Sequence, residues 1–372
     1  MSNTRMAAYA LGVIFIANFL NYTDRQLVSA LEKPLSASFG LGSTEFGFLW
    51  TLFTLGYMVC AMPIGLMADR LSRTKIFAIC IWIWSLATVA SGLAQERWVL
   101  YVARVFIGVG EAGCLVIGPS VISDLFSKER RGKALSIFYL GMPIGGTAAF
   151  IMAGAFYEYL SWREMFLAAG LPGFPVGLMV WFLPDPPRGA TEGVEEGHGH
   201  GGGNFKEYLG LLQNKTLMLI IMAQAFAVFI LIPLIHFGTG FFTEQRGLGE
   251  TEARVALGLM ALTAGVLGNS LSGVVGDWLA RRMQGAYAFL AGVGFMCGLP
   301  CLVLGFTAPS RWVFIPALTL GCFFYFLCMP AVNTQIANVA GPKRRATAWA
   351  LAVFVLHLLG DMVSPPLFGE VE

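Results

Sequence analysis

Ionisable residues lie inside an apolar segment near the N-terminus, where charged side chains are costly and need a reason. Asp24 and Arg25 stand side by side in a run, 7–31, that otherwise has the length and composition of a membrane-spanning helix. Asn18, Asn21 and Arg25 recur at helical spacing. Asp24 lies at the edge of the same stripe. One face of this helix is therefore polar, and we expect it to face a cavity rather than lipid.

A second set of ionisable residues lies in the fourth apolar run, 98–124. Arg104 and Glu111 share a helical face and are separated by about 10 Å along the axis. Asp24 and Arg104 lie at matching depth from the predicted membrane boundary, whereas Glu111 lies nearer the midplane. A carboxylate in a low-dielectric environment is easily protonated while Arg keeps its charge, so either acid can switch between an ion pair and a bound proton. The alternative is a static ion-pair network that holds the two helices together.

Histidines offer further titratable groups. His357 lies near the midplane of the last apolar run, on one face with Asp361. We interpret it as a second titrating group or a ligand contact, and a hydrogen-bonded structural histidine is the alternative. His236 is expected to pack structurally. His198 and His200 lie in a Gly-rich stretch, where a solvated linker is favoured over a metal site.

The elements that carry these residues are predicted from composition. The chain of 372 residues is 56% hydrophobic and 12% charged, with a mean hydropathy of +0.69, which is far more apolar than a soluble domain. We predict an all-α polytopic membrane protein and expect no metal and no catalytic group. Eleven apolar runs are predicted to span: 7–31, 44–67, 75–94, 98–124, 131–156, 163–183, 215–242, 252–280, 284–307, 311–339 and 344–368.

Basic residues are distributed unevenly between the two membrane faces. Of the 24 Lys and Arg residues, sixteen fall on one face, six fall on the other, and Arg25 and Arg104 lie within the membrane. The face with sixteen, here called the basic side, is predicted to be cytoplasmic by the positive-inside rule, and it includes the N-terminus. We expect a multi-pass protein of the plasma (inner) membrane that works as a monomer.

The chain divides at a polar stretch rich in Pro, Gly and charge. This division predicts a first six-helix bundle over 1–183, a flexible cytoplasmic linker over 184–214 and a second bundle over 215–372. A repeat supports two related halves, since the Gly-x-x-x-Asp of Gly65 and Asp69 recurs 208 residues later, and the pair Arg130-Arg131 recurs 214 residues later. By this symmetry a twelfth helix is expected after Glu372.

The segment 65–75 resembles the signature that members of the major facilitator superfamily carry between their second and third helices. Asp69 is suited to face the positive end of another helix, and the resemblance implies the start of the eleventh span as its partner. By symmetry Asp277 faces the start of the fifth. An ordinary charged loop is the alternative. We expect a cytoplasmic gate formed by Gly65, Asp69, Arg70, Arg73, Asp277 and Arg281.

Five further motifs resemble the Spinster branch of that superfamily: Asn21 to Arg25, Gly108 to Ala112, Leu135 to Tyr139 with Pro143 to Gly146, Pro184 to Gly189, and His357 to Pro365. The first two also resemble the organic anion:cation symporter branch. The resemblance implies proton-linked transport of lysolipids or sphingoid lipids such as sphingosine phosphate. It also carries functional roles onto Asp24, Arg25, Glu111 and His357.

These observations predict two pseudo-symmetric six-helix bundles, with eleven helices in the given chain, around a central site. We expect alternating-access transport of an amphipathic anionic lipid coupled to protons. Asp24, Glu111 and His357 are the expected proton-coupling residues, and Arg25 and Arg104 the counter-charges. The expected substrate contacts are Asn21, Tyr22, Arg25 and Glu111.

Other functions remain as alternatives. A symporter of small organic anions, a non-coupled lipid scramblase and a membrane receptor are each compatible with an apolar helical chain. An enzyme is not expected, because the polar segments show no nucleophile with a base, no phosphate loop and no metal-ligand spacing. We expect protons as the coupling ion, no other cofactor, membrane lipids as neighbours, and no nucleic acid partner.

Overall fold

A computed structural model describes residues 3–156, 159–190 and 205–361, and the described residues form helices and no strand. The first group of helices is α1 (Asn3–Ala30), α2 (Glu32–Phe39), α3 (Ser43–Arg70), α4 (Arg73–Gly92), α5 (Arg97–Leu125), α6 (Lys128–Tyr139), α7 (Gly141–Ala155), α8 (Trp162–Gly170) and α9 (Gly173–Trp181). After α10 (Phe205–Leu212), the second group is α11 (Lys215–Gly240), α12 (Glu250–Ala280), α13 (Ala286–Thr307), α14 (Arg311–Ala340) and α15 (Arg345–Leu356).

Nine helical stretches of the described residues are long and apolar enough to cross a membrane. They correspond to the first six predicted spans and to the eighth, ninth and tenth. The seventh and eleventh correspond to α11 and to α15, which continues as a π-helical turn over His357–Asp361. The prediction of an all-α polytopic membrane protein is confirmed. The predicted end of the last span, 362–368, lies outside the described residues.

The fifth membrane passage is divided between α6 and α7. Pro143 has no N–H, so it cannot donate to the carbonyl of Tyr139, four residues earlier. Asn269 Nδ2 of α12 donates to that carbonyl oxygen instead, at 3.3 Å. Asn18 Nδ2 of α1 donates to the neighbouring carbonyl of Phe138 at 2.7 Å. Side chains from two other helices thus bind the backbone at the division, one from each group.

The two groups meet along a seam in which α15 packs on α3 and α5, and α12 packs on α6 and α7. Glycines allow this close approach, because a Cβ at Gly65 would lie 2.5 Å from the Cβ of Ala350, and one at Gly273 would lie 2.6 Å from Ser136 Oγ. Gly65 lies against α15, and the repeated Gly273 makes the related contact with α6. The seam supports the two predicted halves, whose bounds stay a prediction.

The predicted linker, 184–214, contains structure that its composition did not indicate. Its first residues pack against α3, α4 and α5, and it ends in the amphipathic helix α10. Tyr208 of α10 is buried, and its hydroxyl donates to the Met62 carbonyl of α3 at 2.6 Å. The expectation of a uniformly flexible segment is therefore wrong for α10, since its buried Tyr and Leu side chains anchor it. His198 and His200 lie outside the described residues.

Candidate functional site

Arg25 is the centre of the candidate site and is only 8% exposed. Its Cζ lies 4.7 Å from the ring centroid of Tyr22, 5.0 Å from that of Phe53 and 5.1 Å from that of Tyr57. These three rings are called the aromatic cage below. Cation–π attraction is strongest where the cation is desolvated, as here. The Nε of Arg25 donates to Glu111 Oε2 at 2.9 Å, so one carboxylate compensates the charge.

The second group of helices reaches the aromatic cage through His357, the first residue after α15. The His357 ring lies 4.7 Å from the Tyr57 ring, edge to face at 66°. His357 is buried. Tyr57 therefore contacts Arg25 of the first group on one side and His357 of the second group on the other. The structure brings Asn21, Tyr22, Arg25, Glu111 and His357 together at the seam, and their predicted roles stay predictions.

Asp24 has a different environment from its neighbour Arg25. Its Oδ2 accepts a hydrogen bond of 3.3 Å from Thr88 Oγ1 of α4. Its Oδ1 is buried and has no hydrogen-bond partner among the described residues. The two adjacent charged side chains thus bind two different helices. Asp24 binds Thr88 of α4, and Arg25 binds Glu111 of α5. Asp24 does not form the ion pair with Arg25 that the sequence allowed.

Arg104 is buried close to both acids without pairing directly with either in the described part of the chain. It interacts electrostatically with Glu111 and with Asp24. Its Nη2 has no hydrogen-bond partner among the described residues. The counter-charge role predicted for Arg104 is consequently a longer-range one in this conformation. An arginine held in the protein interior this way keeps its charge available to either carboxylate.

Several buried polar atoms around the cage have no partner among the described residues. Buried polar groups in proteins are almost always hydrogen-bonded, so these atoms need partners that water or a polar ligand would supply. Asn21 Oδ1 accepts weakly from Arg25 Nη2 at 3.5 Å. The unpartnered atoms are Asn21 Nδ2, Asp24 Oδ1, Tyr57 OH, Arg104 Nη2 and Glu111 Oε1.

On the basic side, Asp69 at the end of α3 binds the start of α15. Its carboxylate accepts from the backbone N–H groups of Ala346 at 3.2 Å and Thr347 at 2.9 Å, and from Thr347 Oγ1 at 2.5 Å. A carboxylate is stabilised there, because the N-terminus of a helix carries partial positive charge and free N–H groups. The predicted contact between Asp69 and the start of the eleventh span is confirmed.

Asp277 makes the related contact in the second group. Its Oδ2 accepts from the backbone N–H of Lys133 in α6 at 3.1 Å, and its Oδ1 accepts from Tyr287 OH at 2.6 Å. This contact too is confirmed. Arg281 is exposed and interacts electrostatically with Asp277, and Arg70 is exposed at the end of α3. The contacts of Asp69 with α15 and of Asp277 with α6 are together called the double latch.

Arg73 lies in a buried ionic cluster beside the double latch. Its Nη1 donates to Asp124 Oδ2 at 2.5 Å, and its Nε donates to Asp185 Oδ1 at 2.9 Å. Asp124 also forms an ion pair with Arg345, from the second group. At the position related to Asp124 by the repeat, the chain has the neutral residue Asn338. Its Oδ1 accepts from Arg131 Nη1 at 2.6 Å. The cluster therefore joins the two groups on the basic side.

Sequence reasoning missed Phe53 and Tyr57 at the cage and Thr88 beside Asp24. It also missed Asp124 and Asp185 at the ionic cluster. The aromatic and hydroxyl residues lie in apolar spans, where such residues are common and carry no local signal. Asp124 had a usable signal, because it lies 214 residues before Asn338, the same interval that separates Arg131 from Arg345. Pairing Arg345 with Asp124, and Arg131 with Asn338 at the related position, would have predicted the ionic cluster.

Comparisons with known proteins agree with this architecture. Residues 14–365 match the model of the Major Facilitator Superfamily. The protein spinster of Drosophila melanogaster is 27% identical over 98% of this chain, which spans 62% of that protein's length. The sphingosine-1-phosphate transporter SPNS2 of Xenopus tropicalis is 27% identical over 99% of this chain and 74% of its own length.

A solved structure shows the same relationship in three dimensions. It is a bacterial homologue of the human lysosomal transporter Spinster, in an inward-facing and unoccupied conformation. Its TM-score is 0.67 at 25% identity, covering 98% of this chain and 82% of that one. The match to the family model over most of the chain and the helical fold confirm the predicted superfamily. The chain belongs to the Major Facilitator Superfamily, as a multi-pass membrane protein, and it is similar to Spinster proteins.

Proposed function

We propose that this protein is a proton-coupled secondary active transporter that moves an amphipathic anionic lipid by alternating access. The observation that carries the proposal is the position of Arg25, buried in an aromatic cage at the seam and paired with Glu111. A guanidinium suits a phosphate or carboxylate head group, because its N–H groups match two acceptor oxygens. A relative named as a sphingosine-1-phosphate transporter supports a lipid substrate.

Coupling to protons follows from competition for Arg25. An ionised Glu111 and an anionic head group are both acceptors for the same guanidinium. Protonation of Glu111 removes its attraction for Arg25. Proton binding to Glu111 therefore favours anion binding to Arg25, and anion binding to Arg25 favours proton binding to Glu111. The unpartnered donors Asn21 Nδ2 and Tyr57 OH adjoin this arginine and are suited to bind the head group. Tyr22 adds an aromatic surface.

Alternating access requires the two groups of helices to separate on one side at a time. The double latch and the ionic cluster close the basic side in this conformation. We assign the gate to Gly65, Asp69, Arg70, Arg73, Asp277 and Arg281, and the basic side to the cytoplasm, with the N-terminus there. His357 transmits the state of the cage to α15 through its contact with Tyr57. We further propose a monomer in the plasma (inner) membrane, with the halves 1–183 and 215–372 joined by 184–214.

The test is flux of a fluorescent lysophospholipid into proteoliposomes under an imposed pH gradient. Asp24→Asn is compared with the parent protein and with Glu45→Gln, which alters an exposed carboxylate paired with Arg97. We expect gradient-driven flux in the parent protein and in Glu45→Gln, and its loss in Asp24→Asn. Flux that ignores both the gradient and Asp24→Asn would identify a scramblase instead. Gradient-driven uptake of short carboxylates without lysolipid flux would identify a symporter of organic anions.

A further inference from the structure

Thr88 of α4 contacts the acid that the proposed function needs for proton coupling. It is fully buried, and its Oγ1 donates to Asp24 Oδ2 at 3.3 Å. No other hydrogen bond to the Asp24 carboxylate is present among the described residues, where Oδ1 is unpartnered. A single hydroxyl therefore sets the orientation of this carboxyl group inside the first group of helices.

The two acids of the site have partners of different chemistry. Glu111 is bound by Arg25, and a guanidinium is only a donor, so it binds the ionised form and opposes the protonated one. A threonine hydroxyl is a neutral donor, which does not require a charged acceptor. Thr88 is able to donate to Oδ2 of an ionised Asp24 and equally to Oδ2 of an Asp24 that carries a proton on Oδ1. Asp24 is consequently able to gain or lose its proton without losing its partner, whereas Glu111 is not.

Charged groups around Asp24 come from few elements. Arg25 follows it in α1, and Glu111 and Arg104 of α5 interact with it electrostatically. The helices α7 and α9 also pack on α1 and contain no ionisable side chain.

The remaining charges near α1 lie at its two ends or are bound elsewhere. In α8, Arg163 Nη2 donates to the Ala94 carbonyl, and Glu164 accepts from Ser161. The charges of α6 lie in 128–133, at its basic-side end, and those of α2 are Glu32 and Lys33, beyond the other end of α1. Asp24 therefore faces one neutral hydroxyl and two longer-range charges.

We propose that Thr88 is a positioning residue for proton transfer. It holds Asp24 Oδ2 and leaves Oδ1 as the atom that takes and releases the proton in the field of Arg104 and Glu111. This inference rests on the proposed function and separates the roles of the two acids. Asp24 exchanges its proton whether or not substrate is bound, whereas Glu111 does so when an anion replaces it on Arg25.

The first test compares Thr88→Val with Thr88→Ser in gradient-driven lysophospholipid flux over a range of pH. Valine keeps the shape but removes the hydrogen bond, and serine keeps the hydroxyl. We expect Thr88→Val to lower gradient-driven flux about three- to tenfold and to displace its pH profile by about half to one pH unit, the effect of one net hydrogen bond. Thr88→Ser should restore the parent profile. The matched control is Ser91→Ala, whose hydroxyl donates to its own helix at Ala87.

A double variant tests the link to Asp24. Asp24→Asn is expected to lose gradient-driven flux, so the double variant is measured by lysophospholipid exchange without a gradient. In that assay Thr88→Val should have no further effect on the pH profile in the Asp24→Asn background, because coupled residues are not additive. A Thr88→Val protein with the parent pH profile, or one whose effect adds fully to Asp24→Asn, would overturn the assignment. Monodispersity and thermal unfolding of each purified variant exclude a folding defect.

A second readout does not depend on transport. Difference infrared spectroscopy of the purified protein on a pH jump should show a carboxylic acid band that Asp24→Asn removes. We expect Thr88→Val to shift that band and Thr88→Ser to leave it in place. An unshifted band in Thr88→Val contradicts the role of Thr88 even if the parent protein transports. Absence of gradient-driven flux in the parent protein contradicts the proposed function, and the band still reports on Thr88.

Discussion

Asp124, near the end of α5, forms an ion pair with Arg345, the first residue of α15, and so connects the first group of helices to the second. Both side chains are completely buried. Asp124 also accepts from Arg73 at 2.5 Å and from the backbone N–H of Gly189 at 3.0 Å. One carboxylate therefore binds α4, α15 and the start of the linker on the closed basic side.

Replacing Asp124 by Asn should destabilise the protein strongly. The substitution leaves the buried guanidinium groups of Arg73 and Arg345 with less compensating charge. Breaking a buried ion pair by removing one partner costs about 3–5 kcal/mol. Glu45→Gln is the matched control, since Glu45 pairs with Arg97 at the exposed surface, where such pairs contribute about 0–1 kcal/mol. Thermal unfolding of the purified proteins in detergent measures both. Equal shifts in the two variants would show that Asp124 is not essential to the closed state.

Gly65→Ala should prevent normal closure of the basic side. The added methyl group would meet the Cβ of Ala350 at 2.5 Å and the carbonyl oxygen of Ala346 at 3.0 Å, so α3 and α15 would have to move apart. Gly258→Ala is the control, because a Cβ there meets nothing within 4 Å and alanine favours a helix by about 1 kcal/mol. We expect flux to fall at least about tenfold in Gly65→Ala and to stay unchanged in Gly258→Ala. A tenfold fall corresponds to a cost of about 1.4 kcal/mol in the step that closes the basic side. Similar flux in both variants would rule out a tight α3–α15 contact in the cycle.

Arg25→Lys should fail to replace Arg25. Lysine keeps the charge but lacks the planar group that contacts three rings and offers paired donors. Binding of lysophospholipid, measured by fluorescence quenching, should weaken about tenfold or more in Arg25→Lys and in Arg25→Ala. Arg97→Ala, at the surface, should bind as the parent does. Normal binding by Arg25→Lys would mean that only charge matters at this position.

Glu111→Gln should remove most of the pH dependence of anion binding. In the parent protein we expect binding to fall as the pH rises, because ionised Glu111 retains Arg25 in the 2.9 Å pair. Glutamine cannot ionise, so Arg25 stays available to the head group at alkaline pH. The measurement is the dissociation constant of a fluorescent lysophospholipid between about pH 5.5 and 8.5, a range that includes most protein pH switches. An unchanged pH dependence would exclude competition between Glu111 and the substrate.

Much of the fold could be predicted from local sequence. Spans of about 20 apolar residues follow from the membrane's thickness alone, and the spans correspond to described helices. The contact of Asp69 was implied by the resemblance to the superfamily signature, and the contact of Asp277 followed from it through the repeat. Arg25, Glu111 and His357 were identifiable as ionisable groups in apolar surroundings.

Other parts depend on distant packing and have no local signal. Asp24 and Arg25 are neighbours in sequence, yet the fold places Thr88 of α4 beside one and Glu111 of α5 beside the other. Nothing in the sequence around Tyr57 marks it as a site residue. The fold makes it one, because His357 at the end of α15 lies against its ring. The docked segment around Asp185 lies in a stretch whose prolines and glycine indicate only a chain break.

The division between α6 and α7 has a consequence for how the seam opens. In the proposed alternating-access cycle, Asn18 would stay with the first group and keep its bond to the Phe138 carbonyl, whereas Asn269 of the second group would leave the Tyr139 carbonyl. A carbonyl without a partner in an apolar environment costs several kcal/mol. Solvent would therefore have to reach the Tyr139 carbonyl as Asn269 leaves it. The two groups of helices would then separate and the seam would be hydrated in the same step.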